Sequence, residues 1–254
     1  MPTLEALVLT LRKLANPVHF DDLVSEFHRS AGAMSDIVTT IILRIIPIAE
    51  KLLLRLDAAR LGPRLEDYAS SVASLNAPLD QCWGFSDVWS YSRRTTGQRL
   101  NHGGPHALRF QSITTPDGII AYLDQQVSGL SAMLAAPPFE RYVVYGDPGY
   151  VTDASIVSDY SGADLTTGER SFNAAMKCAR VRPKWAFARM VALFGALDIE
   201  NNVLRVKSSP VAAFYFFGAV FSNFRTIMDQ GNEVSEQFGI MPPSLEEYLK
   251  CTGL

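Results

Sequence analysis

Two aspartates, Asp87 and Asp147, are the residues of this sequence best suited to metal chemistry. Asp87 lies in the aromatic run CWGFSDVWSYS, where a carboxylate is costly unless it is paired, solvated or bound to a metal. Asp147 ends the run YVVYGD, and α/β sheets place functional groups at the carboxyl ends of their buried strands. Because Mg²⁺ prefers oxygen ligands, the two acids together predict a divalent-metal site. Each acid alone is at least as well explained as an ordinary turn or edge residue.

Basic residues form two groups that could contact a phosphate backbone. The first group lies between residues 93 and 109 and the second on a later helical segment: Arg93, Arg94, Arg99 and Arg109, then Lys177, Arg180, Arg182, Lys184 and Arg189. Such cations position a protein on nucleic acid, although most charge runs are simply solvated faces. The formal net charge is −3, which excludes a histone-like coat of positive charge.

Other common kinds of site are not supported by the sequence. His102 and His106 are four residues apart, but Gly103-Gly104-Pro105 breaks the helix that would bring them together, so a loop with two incidental histidines is the better interpretation. No Walker or GxSxG motif occurs. The three cysteines form no CxxC pair, which predicts a reduced, intracellular and non-secreted protein without structural zinc.

The first third of the chain has the apolar spacing of helices. The segments LEALVLTLRKLA, FDDLVSEFH and MSDIVTTIILRIIPIAEKLLLRL predict three helices, the last with Ser35 as N-cap and a kink at Pro47. Their order has the outline of a helix-turn-helix. The third segment offers no Lys or Arg before Arg44, so a helical packing domain explains these residues equally well.

From Gln81 onward the pattern changes to strands followed by helices. The runs HALRFQSITT and IIAYLDQQV flank Pro116-Asp117-Gly118, which predicts a β-hairpin. CWGFSDVWSYS and YVVYGD predict two more strands. Two helices are then predicted, FNAAMKCARVRPKWAFARMVALFGAL, interrupted by Pro183, and PVAAFYFFGAVFSNFRTI, whose apolar core is too short for a membrane span.

This order of elements predicts an α/β protein with three parts. These are a helical domain over 1–78, an α/β domain over 79–230 and a C-terminal tail over 231–254. A meander of three strands, a further strand ending in an acid and then a helix suits an RNase H-like core, which is one α/β option among several.

Several segments resemble the DDE superfamily endonuclease domain of Harbinger-type transposases. They are HALRFQSITTPDGII, YVVYGDPGY, FNAAMKCARV, WAFARMVALFGALDI and PPSLEEYL, and the resemblance extends over roughly 81–249. It implies an RNase H-like mixed sheet, a D-D-E triad with Mg²⁺ or Mn²⁺, DNA as partner and a nuclear location. Asp87 stands at the first acid, although the family's Asp-Gly-Thr reads Asp87-Val88-Trp89 here, and Asp147 stands at the second.

The third acid of that family is replaced in this chain. The family's Val-Glu-Trp-Gly-Phe aligns with Pro183-Lys184-Trp185-Ala186-Phe187, so Lys184 stands where the metal-binding glutamate is expected. The resemblance therefore implies an inherited fold with impaired catalysis. Two hypotheses follow: a metal-dependent nuclease with an incomplete triad, or a non-catalytic module that binds DNA or a protein. A homo-oligomer is compatible with both, and so is a decayed transposon copy without a selected role.

Overall fold

The computed structural model describes residues 2–91, 108–125, 129–148, 150, 152–198 and 211–253. This part of the chain contains ten α-helices and five strands. The helices are α1 (Thr3–Ala15), α2 (Val24–Phe27), α3 (Ala31–Leu53), α4 (Ala58–Leu61), α5 (Leu65–Ala73), α6 (Leu130–Leu134), α7 (Thr167–Leu193), α8 (Val211–Met228), α9 (Glu233–Phe238) and α10 (Leu245–Leu249). The strands are β1 (Cys82–Tyr91), β2 (Leu108–Thr114), β3 (Ile120–Asp124), β4 (Val143–Tyr145) and β5 (Ile156–Val157).

The strands form one mixed sheet in the order β3-β2-β1-β4-β5. β2 pairs antiparallel with both β1 and β3, whereas β4 runs parallel to both β1 and β5. Helices α5 and α7 pack on β1, and α3 packs on β3. The predicted α/β class and the predicted hairpin over β2 and β3 are confirmed.

The hairpin turn between β2 and β3 is held by the acid of its Pro-Asp-Gly sequence. Asp117 is 1% exposed, and it accepts hydrogen bonds from the Thr115 hydroxyl, the Ile119 amide and the Tyr68 hydroxyl. Gly118 follows with a φ of +81°, a conformation that costs glycine least. The turn is therefore tied to α5 through Tyr68 as well as closed within itself.

The N-terminal helices share one hydrophobic core with the sheet. Met34 and Ile42 of α3 are fully buried in the same cluster as Phe110 of β2 and Phe217 of α8. The predicted boundary at residue 78 therefore marks a change of secondary structure within a continuous core. The helix-turn-helix outline stays a prediction, and among its polar residues Asp36, Thr40 and Arg44 are exposed.

Helix α3 begins earlier than the sequence suggested. Its N-cap is Ser30, whose side chain accepts a hydrogen bond from the Ala33 amide, so the prediction of Ser35 as N-cap was wrong. A serine satisfies free amides only when it stands before the first turn, and the helical run already starts at Ala31. Pro47 lies inside the same continuous helix.

Helix α7 also continues through a proline, although the sequence predicted an interruption at Pro183. Proline has no amide hydrogen, so the carbonyl four residues earlier loses its helical partner. That carbonyl belongs to Ala179, and it accepts a hydrogen bond from Nε2 of Gln237 at 3.1 Å. A side chain of α9 thus replaces the missing bond, and the helix is kept intact. Thr166 and Glu169 close its N-terminus as a capping box.

Two helices of the described residues are long and apolar enough to cross a membrane, α3 and α8. The most apolar window of α8 is 61% buried inside the structure, as in the core helix of a soluble protein, whereas that of α3 is 17% buried. The expectation of no membrane partner rested on α8 alone and stays a prediction.

The C-terminal segment after α8 packs closely on the rest of the chain. Val234 and Phe238 of α9 join a cluster with Phe85 of β1, and Tyr248 of α10 is fully buried against the cluster that contains α3. The boundary predicted at residue 230 therefore also lies within the packed structure.

Candidate functional site

The sheet brings Asp87 and Asp147 side by side. Phe85 of β1 is paired with Tyr145 of the parallel strand β4, and each aspartate lies two residues further along its own strand direction. Side chains two residues apart point to the same face of a sheet. The two carboxylates consequently face the same way at the same edge, and they are hydrogen-bonded to each other.

A buried arginine lies between these two carboxylates. Nη2 of Arg180, from α7, is 2.6 Å from Oδ1 of Asp87 and 2.8 Å from Oδ1 of Asp147. Arg180 is 7% exposed and Asp87 is 8% exposed, while the Asp147 side chain is 28% exposed. One guanidinium therefore serves as the counter-ion of both acids, in a largely buried position.

The pKa values of the two carboxylates are shifted in opposite directions. Burial, together with the hydrogen bond to Asp147, raises the pKa of Asp87 to about 7 against the lowering effect of Arg180. Burial also acts to raise the pKa of Asp147, but the hydrogen bonds from Asp87 and Arg180 outweigh it and lower that pKa. As the pH falls, the pair therefore takes up its first proton well above the pH at which an ordinary aspartate does, and Asp87 is the acid whose surroundings favour that proton.

Tyr150 is a further polar group beside this pair, and the sequence gave no signal for it. Its hydroxyl lies 2.7 Å from the Ser86 hydroxyl and accepts a hydrogen bond of 2.8 Å from Nε2 of Gln111. Burial raises the pKa of Tyr150, and the charges of Asp87 and Asp147 contribute to the rise. The tyrosine therefore stays a neutral phenol next to the acids.

The other predicted site residues lie in different surroundings. Lys184 is exposed one turn after Arg180, and its charge acts on both acids. Arg182 donates a hydrogen bond to the Glu233 carbonyl at 2.9 Å. Arg93, Arg94 and Arg99, predicted as DNA contacts, lie outside the described residues, as do both histidines of the loop.

The residues present do not fit a divalent metal ion. Mg²⁺ requires oxygen ligands in near-ideal geometry at about 2.0–2.1 Å. The oxygens that face one another are already bonded to Nη2 of Arg180, and Lys184 adds a second positive charge nearby. Among the described residues no group of three His, Cys, Asp or Glu side chains could hold a metal. Arg180 was predicted to contact DNA, but its charge is directed inward to the two acids.

This chain was compared with protein families, curated proteins and solved structures. No protein-family model, curated protein or solved structure matches this chain. The resemblance to the DDE endonuclease domain therefore stays a prediction.

The raised pKa of Asp87 predicts a pH dependence of stability. Because the pKa of Asp87 is raised on folding, the folded protein takes up a proton as the pH falls through about 7, while the unfolded chain does so only near its ordinary value of 3.8. Stability should therefore rise by about 2 kcal/mol from pH 8 to pH 5 through this group. The lowered pKa of Asp147 removes stability only below that range.

Urea unfolding at pH 5, 6, 7 and 8 measures this effect. Asp87→Asn keeps the shape of the protonated acid and should lose the rise, so the difference between the two proteins isolates Asp87 from other titrating groups. If the stabilities of both proteins change in parallel over this range, the pKa of Asp87 is not raised on folding.

Proposed function

We propose that this protein binds nucleic acid without cutting it, on an RNase H-like fold derived from a transposase. The observation that carries the proposal is the pair of contacts from Arg180 to Asp87 and Asp147. These two acids are the positions at which the resemblance implies metal ligands. An internal cation now balances them.

The sheet supports the RNase H-like part of the proposal. Its first three strands form an antiparallel meander, and β4 returns parallel to β1 at the centre. This order agrees with an RNase H-like core, in which the acids of the first and fourth strands converge at one edge. Asp87 and Asp147 have equivalent positions relative to the paired residues of β1 and β4.

The charges around the acid pair support the absence of catalysis. Two-metal phosphoryl transfer needs ions that stabilise both the attacking and the leaving oxygens. The resemblance places Lys184 at the position of a third carboxylate, and Arg180 is ion-paired with both Asp87 and Asp147. A guanidinium can bind a phosphate, but it cannot supply the metal-activated nucleophile of that chemistry.

The outer face of α7 supports binding to nucleic acid. Helix α7 carries six basic residues and one acid within a chain of net charge −3. Lys177, Val181, Lys184 and Trp185 share one exposed side of the helix, which we call the α7 outer face. Trp185 is 61% exposed and Val181 is 42% exposed. An exposed indole next to lysines can bind single-stranded nucleic acid, because its bases stack on aromatic rings and its phosphates attract cations.

Fluorescence anisotropy with a labelled single-stranded oligonucleotide tests this binding. Trp185→Ala should weaken binding by about tenfold, since one base stacked on an aromatic ring contributes about 1–3 kcal/mol. The double variant Lys177→Gln/Lys184→Gln should also weaken it and should reduce its salt dependence. Chelation of divalent metal should change nothing.

A matched control removes two charges elsewhere. Arg44 and Arg55 are both exposed and lie away from α7 in the chain, so Arg44→Gln/Arg55→Gln should bind like the parent protein. Micromolar Mn²⁺ binding by the parent that Asp147→Ala abolishes would overturn the non-catalytic proposal. Equal losses in both double variants would show only general electrostatic attraction.

An apolar groove favours the alternative, a protein-binding module. The groove, of about 630 Å³, lies between α1, α8 and α10 and is lined mainly by apolar side chains, among them Leu11, Phe224, Met228 and Leu245. If the parent protein binds no oligonucleotide, this alternative replaces the first proposal, and light scattering would test whether a second copy occupies the groove.

A further inference from the structure

A second polar site lies far along the chain from the acid pair, where α4 meets the C-terminal segment. A cavity of about 530 Å³ is lined by three basic residues, Arg60, Arg64 and Lys250, and by two acids, Asp57 and Glu247. Three prolines and Ala59 form part of its wall. The volume is in the range of pockets that hold small molecules.

The guanidinium of Arg60 lacks polar partners. All three of its nitrogens are buried, and none forms a hydrogen bond within the part of the chain that the structure describes. Its Cζ lies 4.9 Å from the ring centroid of the buried Tyr248. The ring stabilises the charge through its π face but accepts none of the five N–H bonds. A buried cation in this state needs an anionic acceptor.

Both acids of the cavity are already used as helix caps. Asp57 accepts hydrogen bonds from the amides of Ala59 and Arg60 at the start of α4. Glu247 accepts from the Ser244 amide in the capping box of α10, and this bond contributes to lowering its pKa. One oxygen of each carboxylate accepts from backbone amides, and neither acid forms a hydrogen bond with the guanidinium of Arg60.

The other two cations differ in their availability. Arg64 donates hydrogen bonds to Asp117, at 3.1 Å, and to the Met241 carbonyl. Its position is therefore fixed, and it contributes only its positive charge to the cavity. Lys250 is exposed and can move toward a bound group. A fixed arginine, an unpartnered arginine and a mobile lysine around one cavity form an arrangement suited to a phosphate group.

We propose that this cavity binds the phosphate group of a small organic phosphate, with Arg60 as its main hydrogen-bond donor. Lys250 supplies charge at the rim, and the proline wall contacts the organic part. This site is independent of the proposed nucleic-acid function, because it shares no residue with the acid pair or with the α7 outer face.

Isothermal titration calorimetry at constant ionic strength tests the site with two probes, inorganic phosphate and ribose 5-phosphate. The parent protein should bind both, with ribose 5-phosphate tighter because it also contacts the wall. Arg60→Gln keeps a polar side chain but removes the charge and the guanidinium donors, and it should weaken binding by about tenfold or more. Lys250→Gln should weaken binding to a smaller extent.

Controls separate this site from general charge effects and from misfolding. Arg44→Gln removes an exposed arginine outside the cavity and should leave both affinities unchanged. The melting temperature of Arg60→Gln without ligand should equal or exceed that of the parent, since the variant removes a charge without partners. Equal affinity for both probes would show that the site recognises only the phosphate group, and it would overturn the proposal of an organic phosphate as ligand. No binding by the parent, or undiminished binding by Arg60→Gln, would overturn the site.

Discussion

Replacing Arg180 by glutamine should lower the free energy of unfolding by about 3–5 kcal/mol at pH 8. The substitution leaves Asp87 and Asp147 next to each other without their counter-ion, and Asp87 is 8% exposed. Removing one partner of a buried ion pair is costly mainly because the remaining charge is desolvated and uncompensated. Urea unfolding measured at this pH gives the effect directly.

Two further variants show whether the loss of unfolding free energy comes from the missing charge of Arg180. Arg182→Gln removes a neighbouring exposed arginine of the same helix and should cost less than about 1 kcal/mol. Adding Asp87→Asn to Arg180→Gln removes one of the two stranded charges and should restore part of the stability. If Arg180→Gln costs no more than Arg182→Gln, the arginine is not the counter-ion of the pair.

The largest functional change is expected from Arg180→Gln combined with Lys184→Glu. This double variant removes the internal cation and adds a carboxylate one turn along α7, at a position whose charge already acts on both acids. Three carboxylates at one edge of a sheet form a ligand set for Mn²⁺. We expect calorimetry to detect Mn²⁺ binding in the double variant and none with Lys184→Glu alone, because Arg180 then still bonds both acids.

The control for this gain of Mn²⁺ binding is Arg180→Gln/Lys184→Gln, which lacks both the cation and the third acid. Mn²⁺ should raise the melting temperature of the glutamate variant and leave the control unchanged, since a ligand that binds only the folded state stabilises it. A glutamate variant that folds, as judged by circular dichroism, yet binds no Mn²⁺ would show that residue 184 does not stand at the third acid position.

Local sequence was sufficient to predict the part of the site that lies on the sheet. The turn tripeptide at 116–118 fixed the hairpin, and the aromatic and apolar runs marked β1 and β4. Asp87 stood out as a carboxylate in an aromatic run, and Asp147 as the acid that ends a buried strand. The parallel pairing of the two strands, which brings these acids together, is seen in the structure.

The arginine between them could not be predicted from local sequence. Arg180 is separated from Asp87 by 93 positions, and its side of α7 becomes clear only when the helix packs on the sheet. In the sequence it looked like one of several basic residues on a helical face. The predicted break at Pro183 failed for a similar reason, because the bond that replaces the missing one comes from Gln237, in a different helix.

That hydrogen bond from Gln237 joins α9 to α7, two helices that are separated by α8 in the chain. Ala179 immediately precedes Arg180, so the amide of Gln237 holds α7 one residue away from the counter-ion of the acid pair. Nearby, Arg182 and Arg189 of α7 both contact Glu233 at the start of α9. The segment after α8 is thus bonded to α7 on both sides of Arg180, so the position of the arginine depends on residues that follow it by about fifty positions in the chain.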